Sequence, residues 1–260
     1  MYNRSRRNTI SLNDKECPKC HGTGWILYET EDGTEEIYGQ PMKVEYAKRC
    51  NCGNNVFINE DRTGFPEMYR GSSVDAFDWK IYGIDTTDFK TVAMSFYNDF
   101  DKWKEKGKGL YIWSKTAGSG KTFLSACLAK SIMFKKNSLV KYVTPLEYID
   151  KVAQGYRDKN LHDPSQVYRE CSLLVLDDLG TQKTDDWYEQ ELFRPIDERS
   201  SNGLATIITS NYKVEDLRMD ERIKSRILRM SIVVHMPEIS IRNQKAAEEQ
   251  RDFIEEVLGG

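Results

Sequence analysis

No run of about eighteen consecutive apolar residues occurs in the 260-residue chain, which excludes a helical membrane span. The start, Met1-Tyr2-Asn3-Arg4-Ser5-Arg6-Arg7, is basic. The residues after it are polar and lack the apolar stretch of a secretory signal, so a cytosolic protein is expected. A strong excess of one charge is also missing: 38 Lys and Arg stand against 41 Asp and Glu, a formal net charge of −3. That balance excludes a uniformly basic nucleic-acid surface, and any contact with a phosphate backbone has to come from a local patch. Internal repeats and low-complexity tracts are absent. Cysteine is sparse over most of the chain, and Cys127 and Cys171 sit in apolar segments where a small core residue fits.

What is present suits a globular protein: 39% apolar and 30% charged residues, with a mean hydropathy of −0.65. The length allows one substantial core and a small appendage. The other cysteines, Cys17-Pro18-Lys19-Cys20 and Cys50-Asn51-Cys52, bracket short β-favouring runs around Glu31-Asp32-Gly33-Thr34, a hairpin signal. In a reducing compartment this clustering favours a metal over disulfides. Four thiolates can close a tetrahedral Zn²⁺ site and give such a unit the stability that its own core cannot supply. His21 could replace one ligand, and redox pairing of the cysteines is the competing reading. Residues 1–60 are expected to form this zinc-ribbon-like domain and 61–88 a connector that packs onto the next domain.

From residue 89 to 260 the pattern changes. A helix is expected over Asp88 to Lys106, where Val92, Phe96, Phe100 and Trp103 recur at helical spacing. Short apolar strands then alternate with helices, the signature of a parallel sheet covered by helices. The strands are expected at Leu110–Trp113, Val140–Thr144, Leu173–Asp177, Ala205–Thr209 and Ile232–His235. Helices are expected at Lys121–Lys135, Pro145–Gly155, Asp185–Ser201, Arg222–Arg229 and Ile241–Leu258.

The first of these strands runs into Lys115-Thr116-Ala117-Gly118-Ser119-Gly120-Lys121-Thr122 and then a helix. A glycine-rich loop at a helix N-terminus wraps phosphates with backbone N–H groups and the positive end of the helix dipole. Residues 116–122 are therefore the candidate ATP cradle, with Lys121 at the β- and γ-phosphates and the Thr122 hydroxyl in the Mg²⁺ shell. Lys115 stands where the pattern has its first glycine. Further on, the apolar strand Leu173-Leu174-Val175-Leu176 ends in Asp177-Asp178, carboxylates placed where a metal or ligand sits in a parallel sheet. Asp177 would orient Mg²⁺ and Asp178 would stand near the attacking water. Glu is usual at the second place, so the shorter Asp178 points to slow hydrolysis. Asn211, after the strand 205–209, could hold that water or the γ-phosphate, or cap a turn. Arg222, Arg226 and Arg229 recur at helical spacing, as a solvated basic face or as a finger for a neighbouring subunit's ATP site.

Taken together, these blocks resemble an AAA+ ATPase, and more narrowly the bacterial and phage replicative-helicase loaders of the DnaC/DnaI type. The resemblance extends over nearly the whole length, including both cysteine pairs, Phe65-Pro66-Glu67-Met68-Tyr69 and Phe77-Asp78-Trp79. It implies an α/β P-loop core with a five-stranded parallel sheet in the order 5-1-4-3-2. Lys121 and Thr122 then belong to Walker A, Asp177 and Asp178 to Walker B and Asn211 to sensor 1. Arg226 matches the arginine finger, and Arg242 lies where a sensor 2 arginine would be. Only Met236 to Gly260 follow the fifth strand, one helix in place of a lid bundle, as in the loaders. The implied function is ATP-dependent delivery of a hexameric DnaB-type helicase, with single-stranded DNA bound by the AAA+ domain and protomers associating through shared ATP sites. Lys102, Lys104, Lys106 and Lys108 are candidates for the DNA contact, although a solvated lysine face explains them equally well. Competing readings are a transposition ATPase of the IstB type and a zinc adaptor that does not hydrolyse nucleotide.

Overall fold

The computed structural model describes residues 25–29, 35–37, 40–42, 45–49, 63–69, 71–157, 163–182 and 185–258. The chain divides into two compact units, Met1–Ile58 and Asn59–Gly260.

In the first unit, β1 (Trp25–Glu29) pairs antiparallel with β4 (Glu45–Arg49), with Trp25 opposite Arg49 and Glu29 opposite Glu45. Between them in sequence, β2 (Glu35–Ile37) pairs with β3 (Gln40–Met42). The strands on either side of the Asp32-Gly33 signal, β1 and β2, therefore do not pair with each other, and Asp32-Gly33 itself lies outside the described residues. Ile37 faces Gln40 across the ladder. A turn dipeptide marks a bend but does not choose which strands pair. Cys17, Cys20, Cys50, Cys52 and His21 lie outside the described residues.

The second unit begins with two short 3₁₀ turns, Glu67–Tyr69 and Val74–Ala76. Two helices follow, α1 (Thr87–Asn98) and α2 (Phe100–Glu105), where a single helix was expected. The break is at Asp99, with φ −106° and ψ 28°. Phe96 still meets Phe100 and Trp103 edge-on, at 5.5 and 5.2 Å between ring centres. The apolar spacing thus runs through the break and conceals it from a periodicity argument.

The α/β core consists of β5 (Gly109–Trp113), α3 (Lys121–Lys136), β6 (Val140–Val143), α4 (Pro145–Arg157), α5 (Gln166–Glu170), β7 (Leu173–Leu179), α6 (Asp186–Ser201), β8 (Ala205–Ser210), α7 (Glu221–Met230), β9 (Ser231–His235) and α8 (Ile241–Leu258). Its strands form one sheet in the order β6-β7-β8-β5-β9, parallel throughout. Counted from β5, this is the order 5-1-4-3-2. Every residue of β5 and β8 is buried, as expected for central strands covered on both faces. Cys127 and Cys171 are fully buried free thiols, the core role their apolar neighbours implied. A short helix, α5, went unforeseen because five residues carry too little periodicity to register.

Residues 63–83 pack against this core. Tyr142 N donates to Thr63 O at 2.8 Å, Val74 N to Ser131 Oγ at 2.9 Å and the fully buried Lys130 Nζ to Tyr69 O at 2.6 Å. Gly64 is required here: it has φ +88°, and a Cβ would lie 2.5 Å from Tyr142 O. Among the described residues no helix is long and apolar enough to cross a membrane.

Candidate active site

In a parallel sheet the loops leaving the strands' C-terminal ends share one edge, and ligands bind where neighbouring connections part. β5 has β8 on one side and β9 on the other, so residues following β5, β7, β8 and β9 converge there. Residues 114–120 connect β5 to α3. The loop bends at Gly118 (φ +77°) and Gly120 (φ +92°), the latter capping α3. Cβ atoms there would lie 2.8 Å from Arg242 Cβ and 3.0 Å from the Tyr82 hydroxyl, respectively. Among the described non-glycine residues only Asn137 and Asp178 have positive φ. Lys115 therefore sits in a backbone conformation that does not demand glycine.

Lys121 is buried with its ammonium turned into the loop. Nζ donates to Ser114 O at 3.1 Å, Thr116 O at 3.0 Å and Ser119 Oγ at 3.3 Å. Burial lowers its pKa, against the pull of Asp178, Glu238 and Asp177. The neighbouring Thr122 hydroxyl is among the groups that lower the Asp177 pKa against its burial.

Asp177 is buried near the end of β7. Tyr142 from β6 donates to Oδ2 at 2.6 Å, and Thr209 from β8 donates to Oδ1 at 2.6 Å. Burial raises the Asp177 pKa above the ordinary carboxylate value, opposed by hydrogen bonds from Thr209, Tyr142 and Thr122. Asp178 has φ +63° at a register shift between Leu176 and Leu179, a left-handed backbone that costs a non-glycine residue about 1–2 kcal/mol. Its N–H donates to Thr209 Oγ1 at 2.8 Å, and its carboxylate accepts from Asn211 Nδ2 at 3.3 Å and Thr181 Oγ1 at 3.1 Å. One threonine thus binds both aspartates.

Arg242 opens α8 with its N–H on Gly118 O at 3.2 Å. Its charge lowers the Lys121 pKa. It also acts on Tyr69, whose hydroxyl burial and Asp177 push up and Arg242 pulls down. Arg226 stands elsewhere: its Nε bonds Asp197 Oδ1 at 2.7 Å and its guanidinium lies 5.1 Å from the Phe193 ring centre. Arg222 pairs with Asp220 at 2.9 Å. The fold therefore brings Lys121, Thr122, Asp177, Asp178, Asn211 and Arg242 around the loop of 116–120 and leaves Arg226 on α7.

Four site residues escaped the sequence reading: Tyr82, Tyr142, Thr209 and Glu238. The Tyr82 hydroxyl donates to Ser119 O at 2.8 Å. Glu238 accepts from the backbone N–H groups of Lys115 and Thr116 at 3.0 and 2.8 Å. For Thr209 and Glu238 a signal existed, since both lie at or just past the C-terminal end of a strand that pairs with β5.

Residues 89–235 match the family model of the bacterial DnaA ATPase domain. The chain belongs to that family. It is also similar to the replicative helicase loader DnaI of Bacillus subtilis (strain 168), 30% identical over 141 residues, which are 52% of this chain and 44% of that protein. The chain thus spans less than half the length of that relative. A crystal structure of the DnaC helicase loader aligns with TM-score 0.58 at 24% identity, covering 66% of this chain and 100% of the other. One of DnaI aligns with TM-score 0.56 at 23% identity, covering 66% and 95%. The DnaI sequence likeness bears out the resemblance to DnaC/DnaI-type loaders, and the two crystal structures show the shared fold.

Proposed function

We propose that the chain is an ATP-dependent helicase loader: it binds a DnaB-type replicative helicase and single-stranded DNA, and slow ATP hydrolysis acts as its switch. The observation that carries the nucleotide half is the buried Lys121 ammonium, turned into the glycine loop onto Ser114 O, Thr116 O and Ser119 Oγ. The charges of Asp177 and Asp178, at the end of the acidic strand, act on it there. Residues 116–122 would hold the phosphates with backbone N–H groups and the Lys121 ammonium. Thr122 and Asp177 fit Mg²⁺ as hard oxygen donors, and the ion would neutralise charge on the phosphates. Asp178, held by Asn211, would orient the attacking water. Arg242 would reach the nucleotide from α8, and Arg226 that of a neighbouring copy.

The similarity to DnaI supports the helicase half. The reading gives residues 1–60 a zinc-binding role and places the ATPase domain at 89–260. The antiparallel ladder supports the zinc site, because Cys17 and Cys20 precede β1 in sequence while Cys50 and Cys52 follow β4, and Trp25 pairs with Arg49. Strands in this front unit also favour a loader over an IstB-type ATPase, whose front region is helical.

Co-purification with the DnaB-type helicase of its host, with and without ATP, tests the reading. Binding and loading should require the wild-type site and fail in Asp177→Ala. Loading and ATP turnover that persist unchanged in Asp177→Ala would rule out the ATPase switch. No interaction with the helicase at all would move the function to transposition.

A further inference from the structure

We propose that Glu238 is a positioning residue of the phosphate loop, a built-in anion that fixes the loop's first turn at the place where Lys115 stands instead of glycine. The inference rests on the nucleotide-binding reading of that loop. β9 runs parallel to β5, with Trp113 opposite His235, and Met236 N extends the ladder to Trp113 O at 2.9 Å. The chain leaving β9 therefore travels beside the chain leaving β5, and Glu238 arrives level with residues 114–116. Oε1 accepts from Lys115 N at 3.0 Å and contacts His235 Nε2 at 2.8 Å. Oε2 accepts from Thr116 N at 2.8 Å and Ser114 Oγ at 3.0 Å. Burial disfavours the ionised carboxylate, but these donors outweigh it and hold its pKa at about 2.

Two successive backbone N–H groups converging on a carboxylate form an anion nest, and here its occupant belongs to the chain itself. The peptide unit between Ser114 and Lys115 links the two functional charges. Its N–H binds Glu238, and its carbonyl, Ser114 O, accepts from Lys121 Nζ at 3.1 Å. Fixing the plane of that peptide fixes an acceptor of the lysine that is to meet the phosphates. Lys115 and Thr116 N–H are committed to Glu238, so the phosphates fall to the backbone donors from Ala117 onward. Glycine is then unnecessary at 115 because an outside carboxylate, rather than backbone freedom, sets the turn.

The test measures binding of a fluorescent ADP with Mg²⁺, together with KM and kcat for ATP, in wild type, Glu238→Gln and Glu238→Ala. Circular dichroism confirms that each variant is folded. Glu238→Ala should weaken ADP binding and raise KM about tenfold, the scale of a lost charged hydrogen bond, with kcat changing less than KM. Glu238→Gln keeps one acceptor oxygen and should recover part of the loss. Should Glu238→Ala fail to fold, Glu238→Gln alone decides, by a smaller loss of the same kind. A folded variant that binds ADP as tightly as wild type, or more tightly because the carboxylate had repelled phosphate, overturns the inference. A wild-type chain that binds no ADP overturns the nucleotide reading, and the inference with it.

Discussion

Tyr142 and Thr209 hold opposite oxygens of one carboxylate, each with a hydroxyl 2.6 Å from Asp177. The two come from β6 and β8, the strands on either side of β7, so the sheet order itself builds the clamp. Such hydrogen bonds to a charged acceptor contribute about 1.5–3 kcal/mol each. Tyr142→Phe should lower unfolding stability by about 1–3 kcal/mol in urea titrations. It should also raise the Mg²⁺ concentration needed for nucleotide binding, since the carboxylate loses one of the groups that orient it. Unchanged values of both would show that the clamp is dispensable.

Asp177 also predicts a pH dependence. Its folded pKa is raised above the ordinary 3.8, chiefly by burial. The folded state then binds the proton more tightly than the unfolded state, so the stability this group contributes is fully present below 3.8 and is lost as pH rises through the folded value. Asp177→Asn removes that penalty. The variant should gain stability relative to wild type as pH rises from about 4 toward neutrality, while losing Mg²⁺-dependent ATP turnover. Parallel stability curves for the two proteins across that range would contradict it.

Asp178 carries backbone strain and chemistry at one position. Asn tolerates the left-handed conformation nearly as well as Asp, while Ala does not. Asp178→Asn should therefore stay within about 0.5 kcal/mol of wild type. Asp178→Ala should lose about 1–2 kcal/mol, and both should lose most ATP hydrolysis while retaining ADP binding. Full turnover in folded Asp178→Asn would remove Asp178 from the reaction.

The strands and the loop were legible because each depends on local signals: short apolar runs, Gly118-Ser119-Gly120 before a helix, and acids ending a strand; the order of the strands came from the family resemblance alone. Other features depend on what lies across the sheet. β7 continues through Asp178 to Leu179 because Asp178 N finds Thr209 Oγ1, a partner thirty-one positions away. Glu238 reaches the loop only because β9 lies next to β5. The break at Asp99 is hidden by aromatic spacing that continues through it, and the pairing of β2 with β3 overrode the Asp32-Gly33 signal.

A unit of this size with strands of three to five residues has little core to sustain it, so a metal staple should decide its stability. Protein purified without oxygen should carry about one zinc per chain. Chelation should melt the β signal of the first unit while ADP binding by the second persists. Finding no zinc, or a first unit that survives chelator intact, would return the cysteines to redox pairing.

Arg226 is held by Asp197 and packed on Phe193, away from the loop of its own chain. Both partners are partly exposed, so the pair should contribute only about 0–1 kcal/mol to stability, which leaves the arginine free to be recruited elsewhere. If it completes a neighbour's ATP site, Arg226→Ala should fold normally yet lose most turnover. Lys121→Ala should also be inactive, for a different reason: its own site is broken but its finger is intact. Mixing the two inactive proteins should then restore turnover, because an Arg226→Ala site beside a Lys121→Ala finger is complete. Asp197→Ala, which releases the guanidinium, should raise turnover of the otherwise wild-type chain at a given protein concentration. Mixtures that remain as inactive as their components would place Arg226 on a solvated face of α7 and leave hydrolysis to the residues of a single chain.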